Sequence, residues 1–240
     1  MIYKTIHYCW FGRNPKTALI KKCMQSWKKF CPDYEIIEWN EDNFDINCCD
    51  YVREAYEAKK WAFVSDYCRF YVLYHKGGIY LDTDVELIKP IDSLGGAFVG
   101  FENADHVASG LIRGAESGDI ICMEMLKSYH DDHFKNNDGT LNLMTVCARE
   151  TEIMAKHGLK RNDQYQIVEN TAVYPSEYFN PTDNNTGKVT ITPNTISIHH
   201  YAASWVSKNN QIRGKIAKWF YKTFGIEKAN KIRKILGRKK

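Results

Sequence analysis

The sequence predicts an α/β domain with a parallel central sheet, and two observations carry this prediction. The chain opens with a strand over residues 4–11, a helix to about residue 30 and a second strand over residues 34–39, an order that favours parallel strands. Further on, residues 60–76 are apolar on most sides, which is typical of a buried helix, and they lead through two glycines into a short apolar strand. Ligands of such sheets bind beyond the carboxyl ends of the strands.

Local signals give the expected bounds of these elements. Asn14 followed by Pro15 is a good pair for the start of the first helix, and Cys31-Pro32 ends it. His75 and Lys76 in the last turn of the buried helix, followed by glycine, form a typical helix end. The remaining expected elements are a short helix at 50–59, a strand at 97–101, helices at 119–129 and 141–157, and a strand leading to His199.

Two carboxylates follow the apolar strand after the buried helix. If Asp82-Thr83-Asp84 continues that strand, Asp82 and Asp84 project from one face with Cα atoms roughly 7 Å apart. Two such carboxylates repel each other unless a cation joins them. Mg²⁺ takes one or two protein carboxylates and completes its coordination with phosphate oxygens and water. The alternative is a solvated turn in which both aspartates only cap the backbone.

Charged and imidazole side chains elsewhere fit the same kind of site. Asp66 and Arg69 lie one turn apart on one face of the buried helix, either as an intrahelical ion pair or as a pair presented to a polar ligand. Near the end of the domain, an apolar strand leads to His199-His200. A neutral imidazole suits Mn²⁺ better than Mg²⁺, although a histidine pair at a strand end also has structural roles.

Composition restricts the class of protein. The 240 residues, 44% of them hydrophobic, can bury one sizeable core. No run of 18 apolar residues and no signal peptide occur, so we expect a cytoplasmic protein. The eight cysteines include no C-x-x-C pair, so we expect free thiols and no structural zinc.

Charge divides the chain into an expected domain at 1–206 and a basic tail at 207–240. The tail holds 12 Lys/Arg and one acid, Glu227, a net +11; the rest must then carry 4 − 11 = −7. Apolar residues recur in the tail every three or four positions, which predicts a basic amphipathic helix suited to an anionic membrane surface. A helix packed on the domain with a solvated basic face is the alternative. Nucleic acid is disfavoured because the body is acidic.

The segment FVSDYCRFYVLYHKGGIYLDTDV resembles glycosyltransferase family 32 and its relatives, the large bacterial glucosylating toxins. The shared pattern is S-D-x-x-R followed by G-G-x-Y-x-D-x-D. The opening I-H-Y-C-W-F-G and the later H-H-x-x-x-S-W occur in the same order as in that family, so the resemblance covers about residues 2–205. It implies a Rossmann-like nucleotide-diphospho-sugar transferase domain of the GT-A type, with a mixed, mostly parallel central sheet.

The resemblance also implies roles for individual residues. Asp66, Arg69 and Asp82 form the catalytic set, and Asp82 and Asp84 bind Mn²⁺ or Mg²⁺. His200, which precedes an aromatic residue, completes the metal ligands, with His199 as the other possibility. The donor-binding residues implied are Tyr8, Trp10, Asp66, Arg69, Tyr80, Asp82, Ser204 and Trp205, with Trp10 against the base and Ser204 and Trp205 near the diphosphate.

The function implied is metal-dependent transfer, with retention of anomeric configuration, of a hexose or N-acetylhexosamine from a UDP-linked donor. The expected acceptor is a hydroxyl of a glycan, lipid-linked, in capsule or surface polysaccharide synthesis at the inner face of the cell membrane. The alternatives are a mannosyltransferase using GDP-mannose, a toxin-like protein glycosyltransferase and a catalytically inactive nucleotide-sugar binding module. A metallohydrolase built on His130 and His133 is disfavoured because both follow a surface helix end in a polar run.

Overall fold

The computed structural model describes residues 2–183 and 186–202. The helices are α1 (Ala18–Phe30), α2 (Asp50–Glu57), α3 (Trp61–Lys76), α4 (Ile120–His130) and α5 (Val146–Lys156). The strands are β1 (Thr5–Cys9), β2 (Glu35–Trp39), β3 (Gly78–Tyr80), β4 (Val85–Leu87), β5 (Ala97–Asn103), β6 (His106–Val107), β7 (Arg113–Ala115), β8 (Gln166–Val168), β9 (Thr171–Tyr174) and β10 (Ser197–His199). Within these ranges no helix is long and apolar enough to cross a membrane.

The central sheet has the strand order β2-β1-β3-β7-β5-β9-β8, with β6 paired to β5. Strand β1 runs parallel to β2 and β3, β7 runs antiparallel to both β3 and β5, and β5 runs parallel to β9. Five strands of the main path therefore share one direction, while β7 and β8 oppose it. The predicted mixed, mostly parallel α/β sheet is confirmed.

Two apolar clusters fill the space on the two sides of this sheet. The larger cluster joins α2, α3, α4 and α5, with Val64, Phe70 and Met125 completely buried. The smaller cluster includes Trp27 of α1, which is also completely buried. The Trp27 indole N–H donates to the Val85 carbonyl (2.7 Å), and this bond ties α1 to β4.

Two helix starts differ from the sequence prediction. Helix α1 begins at Ala18, where the Thr17 hydroxyl accepts from the Ile20 N–H, and not at Asn14-Pro15. The Asn14 carbonyl instead accepts from the Trp10 indole (2.7 Å), which holds the preceding residues in a loop. Helix α5 begins at Val146 after its cap Thr145, and not at residue 141. In both places a threonine cap further along the chain sets the helix start.

The prediction that Asp82 and Asp84 lie on a strand is wrong. Strand β3 ends at Tyr80, and the two aspartates lie in a turn closed by the Val85 N–H to the Asp82 carbonyl (3.0 Å). The chain turns because β4 pairs antiparallel with β10 in a separate two-stranded sheet. The turn therefore connects the central sheet to the strand that ends in the histidine pair.

Candidate active site

One arginine joins the buried helix to the aspartate turn. The Arg69 Nη2 donates to Asp66 Oδ1 (2.7 Å) and lies 3.3 Å from Asp82 Oδ1. The Tyr80 hydroxyl donates to the same oxygen of Asp82 (3.0 Å), and the Arg69 guanidinium lies over the Tyr80 ring (4.8 Å). Four of the sequence-predicted site residues, Asp66, Arg69, Tyr80 and Asp82, thus form one cluster.

The cluster is buried at one end and open at the other. The side chains of Arg69 and Asp66 are 4% and 11% exposed, whereas that of Asp82 is 29% exposed. Burial raises the pKa of Asp66 to about 7, although Arg69 opposes this rise. The Nη1 of Arg69 is buried and donates to no atom of the described chain. A buried cationic donor without a partner is costly, so this nitrogen is suited to an incoming ligand oxygen.

Gly110 packs directly against this cluster. Its carbonyl accepts from the Asp82 N–H (3.1 Å). A Cβ at position 110 would lie 2.2 Å from Asp82 Oδ2 and 2.9 Å from Arg69 Nη1, distances at which the neighbours must move. The Ser109-Gly110 dipeptide in the sequence was a weak signal for this close approach.

Asp84 is held by the end of β10. Its Oδ1 lies 3.0 Å from His199 Nε2, and its Oδ2 accepts from the Ala202 N–H (2.7 Å). Burial on its own would raise the pKa of Asp84, but His199 and the Ala202 N–H lower it below its usual value. Burial would likewise lower the pKa of His199, and the neighbouring carboxylate raises it. Asp84 is therefore ionised and oriented.

The structure brings the side chain of His199, and not that of His200, to the Asp84 carboxylate, although the His200 N–H donates to the Asp84 carbonyl (3.0 Å). The Nε2 of His200 lies 2.8 Å from Glu86 Oε2, which also accepts from Lys22. Successive side chains of an extended chain point to opposite faces, so only one imidazole of the pair can meet the Asp84 carboxylate. The metal role that was assigned to His200 stays a prediction, and of the two residues the geometry favours His199 for it.

Trp10 and Tyr8 lie at the end of β1. Trp10 is half-buried, and the Lys16 ammonium lies 5.5 Å from the centre of its ring. Tyr8 is buried, and its hydroxyl donates to Glu38 Oε2 (2.5 Å), so that hydroxyl already has a partner. Their donor-binding roles stay predictions. Ser204, Trp205 and the basic tail lie outside the described residues.

The aspartate turn has the chemistry of a site for a hard divalent ion. Both contacts of the Asp82 carboxylate described above go to Oδ1, and each oxygen of Asp84 keeps a lone pair beside its hydrogen bond. Across residues 2–183 and 186–202 no group of three or more His, Cys, Asp or Glu side chains is arranged to hold a metal ion. Mg²⁺ and similar ions bind through one or two carboxylates plus phosphate oxygens, so the pair fits without a third protein ligand.

Sequence reasoning missed a second arginine–carboxylate cluster. Arg113 of β7 donates through Nη1 to Glu150 Oε1 (2.8 Å) and through Nη2 to Asp119 Oδ1 (3.2 Å). The side chains of Arg113 and Glu150 are fully buried. An arginine within the apolar run VASGLIRGA was the available signal, because a charge there requires a buried partner.

Residues 17–98 match the family model described as "Glycosyltransferase sugar-binding region containing DXD motif". This range includes the Asp66–Arg69–Asp82 cluster and both aspartates of the turn. Residues 17–98 are therefore a glycosyltransferase sugar-binding region of the DXD type. The recognition made from the sequence is confirmed.

Among solved structures, the chain is similar to "PaToxG Glycosyltransferase", with 21% identity over 65% of this chain and 69% of that chain and a TM-score of 0.51. This likeness shows a shared glycosyltransferase fold. A second similar structure is a glycosyltransferase involved in the glycosylation of the major capsid of PBCV-1, with 12% identity over 89% of this chain and 98% of that chain and a TM-score of 0.45. The comparison with curated proteins gave no significant match.

Proposed function

We propose that this glycosyltransferase moves a hexose or N-acetylhexosamine from a UDP-linked donor to a hydroxyl group of a glycan acceptor. The observation that carries the proposal is the bridge from Asp66 through Arg69 to Asp82, with one guanidinium nitrogen left without a partner. A sugar presents several hydroxyls that accept and donate hydrogen bonds. A buried carboxylate and a guanidinium on adjacent helical turns are complementary to such a group.

In this proposal Asp66 and Arg69 hold the donor sugar. The Arg69 Nη1 donates to a sugar oxygen, and the Asp66 carboxylate accepts from a sugar hydroxyl. The Tyr80 hydroxyl and Arg69 Nη2 keep Oδ1 of Asp82 in place, so that Asp82 is oriented before the donor binds. Such preorganised polar groups avoid reorganisation during the reaction.

Asp82 and Asp84 hold Mn²⁺ or Mg²⁺ together with the donor diphosphate. A bound divalent ion supplies Lewis-acid stabilisation of the charge that develops on the leaving diphosphate. His199 orients Asp84, or takes the ligand role first assigned to His200. Trp10 stacks on the uracil, Tyr8 of β1 contributes to the same donor site, and Ser204 and Trp205 contact the phosphates.

We expect the anomeric configuration to be retained. The described site offers no carboxylate that we assign as a nucleophile, because Asp66 and Asp82 are engaged by Arg69 and Asp84 by His199. A diphosphate oxygen then takes the proton of the acceptor hydroxyl on the face from which the diphosphate leaves. Proton NMR of the product made in situ decides this point, since an inverted anomer contradicts the proposal.

The acceptor proposed is a lipid-linked glycan of capsule or surface polysaccharide synthesis, at the inner face of the cell membrane. The support is the net +11 charge of residues 207–240, since basic amphipathic sequences bind anionic lipid surfaces. Co-sedimentation with phosphatidylserine vesicles tests the tail, with phosphatidylcholine vesicles as the neutral control. Equal sedimentation of the full chain and of a chain ending at Val206 contradicts this part.

Calorimetry with a panel of UDP- and GDP-linked sugars tests the donor and the metal together. Each donor is titrated with Mn²⁺, with Mg²⁺ and with EDTA into wild type and Asp84→Ala. We expect metal-dependent binding of one UDP-sugar that is lost in Asp84→Ala. If only GDP-mannose binds, the donor in the proposal is GDP-linked and not UDP-linked. If no donor binds, the proposal is wrong and the site no longer binds nucleotide sugars.

A further inference from the structure

Residues 107–110, which form the connection from β6 towards β7, are tied to the rest of the molecule at every position. We call them the 107–110 segment. The four bonds are the Val107 N–H to Thr151 Oγ1 (3.0 Å), the Ala108 N–H to the Gly100 carbonyl (3.0 Å), the Ser109 N–H to Glu150 Oε2 (3.0 Å) and the Gly110 carbonyl to the Asp82 N–H (3.1 Å). Two of these bonds end on adjacent side chains of α5, and the last ends on the first aspartate of the DXD turn.

The two α5 side chains make these bonds in a dry environment. Glu150, Thr151 and Ser109 are all completely buried. A hydrogen bond to a carboxylate is stronger than one between neutral groups, and it is stronger again away from water. If either acceptor is removed, a buried backbone N–H loses its partner, which costs about 1 to 3 kcal/mol unless the segment moves.

Movement of the 107–110 segment changes the position of Asp82. The Gly110 carbonyl holds the Asp82 backbone, and the Gly110 Cα region packs against Asp82 Oδ2 and Arg69 Nη1 so closely that a Cβ has no room. The segment therefore acts on Asp82 both through a hydrogen bond and through direct packing. Displacements of about 1 Å in a catalytic constellation are large enough to cost activity.

We propose that Glu150 and Thr151 are positioning residues of the active site, which set the location of Asp82 through the 107–110 segment. The part of this proposal that concerns ligand binding rests on the proposed function, in which Asp82 binds the donor diphosphate. The part that concerns the position of Asp82 does not. Neither residue lies in the matched range 17–98.

Thr151→Val is the most informative variant, because valine keeps the shape of threonine and removes the hydroxyl acceptor. Thr151→Ser is its matched control, since serine keeps the hydroxyl and loses only a methyl group. Ile153→Val is a second control on the same helix; Ile153 is 5% exposed, belongs to the core and makes none of the four bonds of the segment. It reports the effect of a small loss of stability alone.

Two measurements are made on the full chain. The first is the hydrogen-exchange rate of the Asp82 and Ser109 amides by NMR without ligand. The second is the Kd of UDP with Mn²⁺ by calorimetry. For Thr151→Val we expect both amides to exchange about five- to tenfold faster, as the loss of one buried hydrogen bond implies. We expect the Kd of UDP with Mn²⁺ to rise by a similar factor, while both controls stay within about twofold of wild type.

The outcomes separate the two proposals. Unchanged exchange at Asp82 in Thr151→Val overturns the positioning role, whatever happens to binding. Faster exchange of the Asp82 amide with an unchanged Kd of UDP shows that the position set by Thr151 does not affect ligand binding, which overturns the positioning role in the active site. If UDP does not bind to wild type with Mn²⁺, the proposed transfer from a UDP-linked donor fails, and the exchange rates still decide whether α5 positions Asp82. If Thr151→Ser and Ile153→Val change both readouts as much as Thr151→Val, the effect is general destabilisation and the proposal is wrong.

Discussion

Two arginine–carboxylate clusters contact neighbouring residues of the 107–110 segment, and they differ in one respect. In each, one arginine bridges two carboxylates: Arg69 joins Asp66 and Asp82, and Arg113 joins Glu150 and Asp119. The Arg113 cluster is closed, because the Arg113 and Glu150 side chains are fully buried and both terminal nitrogens are bonded; Nε has no partner in the described chain but is buried with them. The Arg69 cluster is open, because Nη1 has no partner in the described chain and Asp82 is 29% exposed.

This difference shows which feature identifies a site. Both clusters place charges in an apolar interior, so burial of charge does not distinguish a binding site from a structural ion pair. The distinguishing feature is an exposed edge, because each cluster holds one guanidinium nitrogen without a partner in the described chain, but only the Arg69 cluster reaches solvent, at Asp82. Glu150 of the closed cluster accepts a hydrogen bond from the Ser109 N–H of the segment. Asp82 and Arg69 of the open cluster pack against Gly110.

The largest expected effect is on the stability of the closed cluster. Arg113→Met leaves Glu150 buried without its cationic partner, which costs about 3 to 5 kcal/mol of unfolding free energy. Urea denaturation measures this loss. The double variant Arg113→Met with Glu150→Gln keeps an acceptor for the Ser109 N–H and removes the unpaired charge, so it should recover part of the loss. A loss of unfolding free energy below about 1 kcal/mol in Arg113→Met would contradict the description of Glu150 as a buried carboxylate that depends on Arg113.

The second effect is on the chemistry of the open cluster. Arg69→Lys keeps the charge but loses the planar fork that reaches both Asp66 and Asp82. We expect turnover of the UDP-sugar identified by calorimetry to fall about 100-fold, with a smaller loss of stability than in Arg113→Met. Binding of UDP, which lacks the sugar, serves as the control and should change less. Full activity in Arg69→Lys would remove the sugar-binding role of the guanidinium.

A third change acts where the segment meets the open cluster. Gly110→Ala places a Cβ 2.2 Å from Asp82 Oδ2, so Asp82 must shift. We expect the Kd of UDP with Mn²⁺ to rise about tenfold, as about 1.4 kcal/mol of lost binding implies. Gly118→Ala is the matched control: a Cβ at this position meets no atom within 4 Å, and the positive φ (+81°) makes alanine strained there. It should lower stability and leave binding unchanged.

The smallest effect is a pH dependence at Asp66. Burial raises the pKa of this carboxyl from 3.8 to about 7, so the folded protein holds a proton here that the unfolded chain releases above about pH 4. The contribution of this proton to the free energy of unfolding is fully present below pH 4 and is lost as the pH rises through 7. Between pH 6 and pH 8, metal-free wild type should lose on the order of 1 kcal/mol relative to Asp66→Asn, measured by urea denaturation in EDTA. Parallel pH profiles would show an ordinary pKa for Asp66.

Most of the open cluster could be predicted from the sequence, because its members lie close together in the chain. Asp66 and Arg69 are one helical turn apart, and Asp82 follows two residues after Tyr80, the last residue of β3. The form of the DXD segment could not be predicted, since the turn depends on the pairing of β4 with β10, more than a hundred residues later in the chain. The same pairing decided which histidine meets Asp84.

The residues of this chain, taken in order, determine its class: strand–helix–strand periodicity, a buried helix with an Asp66–Arg69 pair, and two aspartates after an apolar strand. These signals are local, since hydrophobic spacing and helix-end residues act over a few positions. The tertiary structure decided which charges remain open to a ligand and which are closed. Glu150 meets Ser109 across 41 positions, and Asp84 meets His199 across 115. Contacts at such separations depend on how helices and strands pack, which short-range periodicity does not encode.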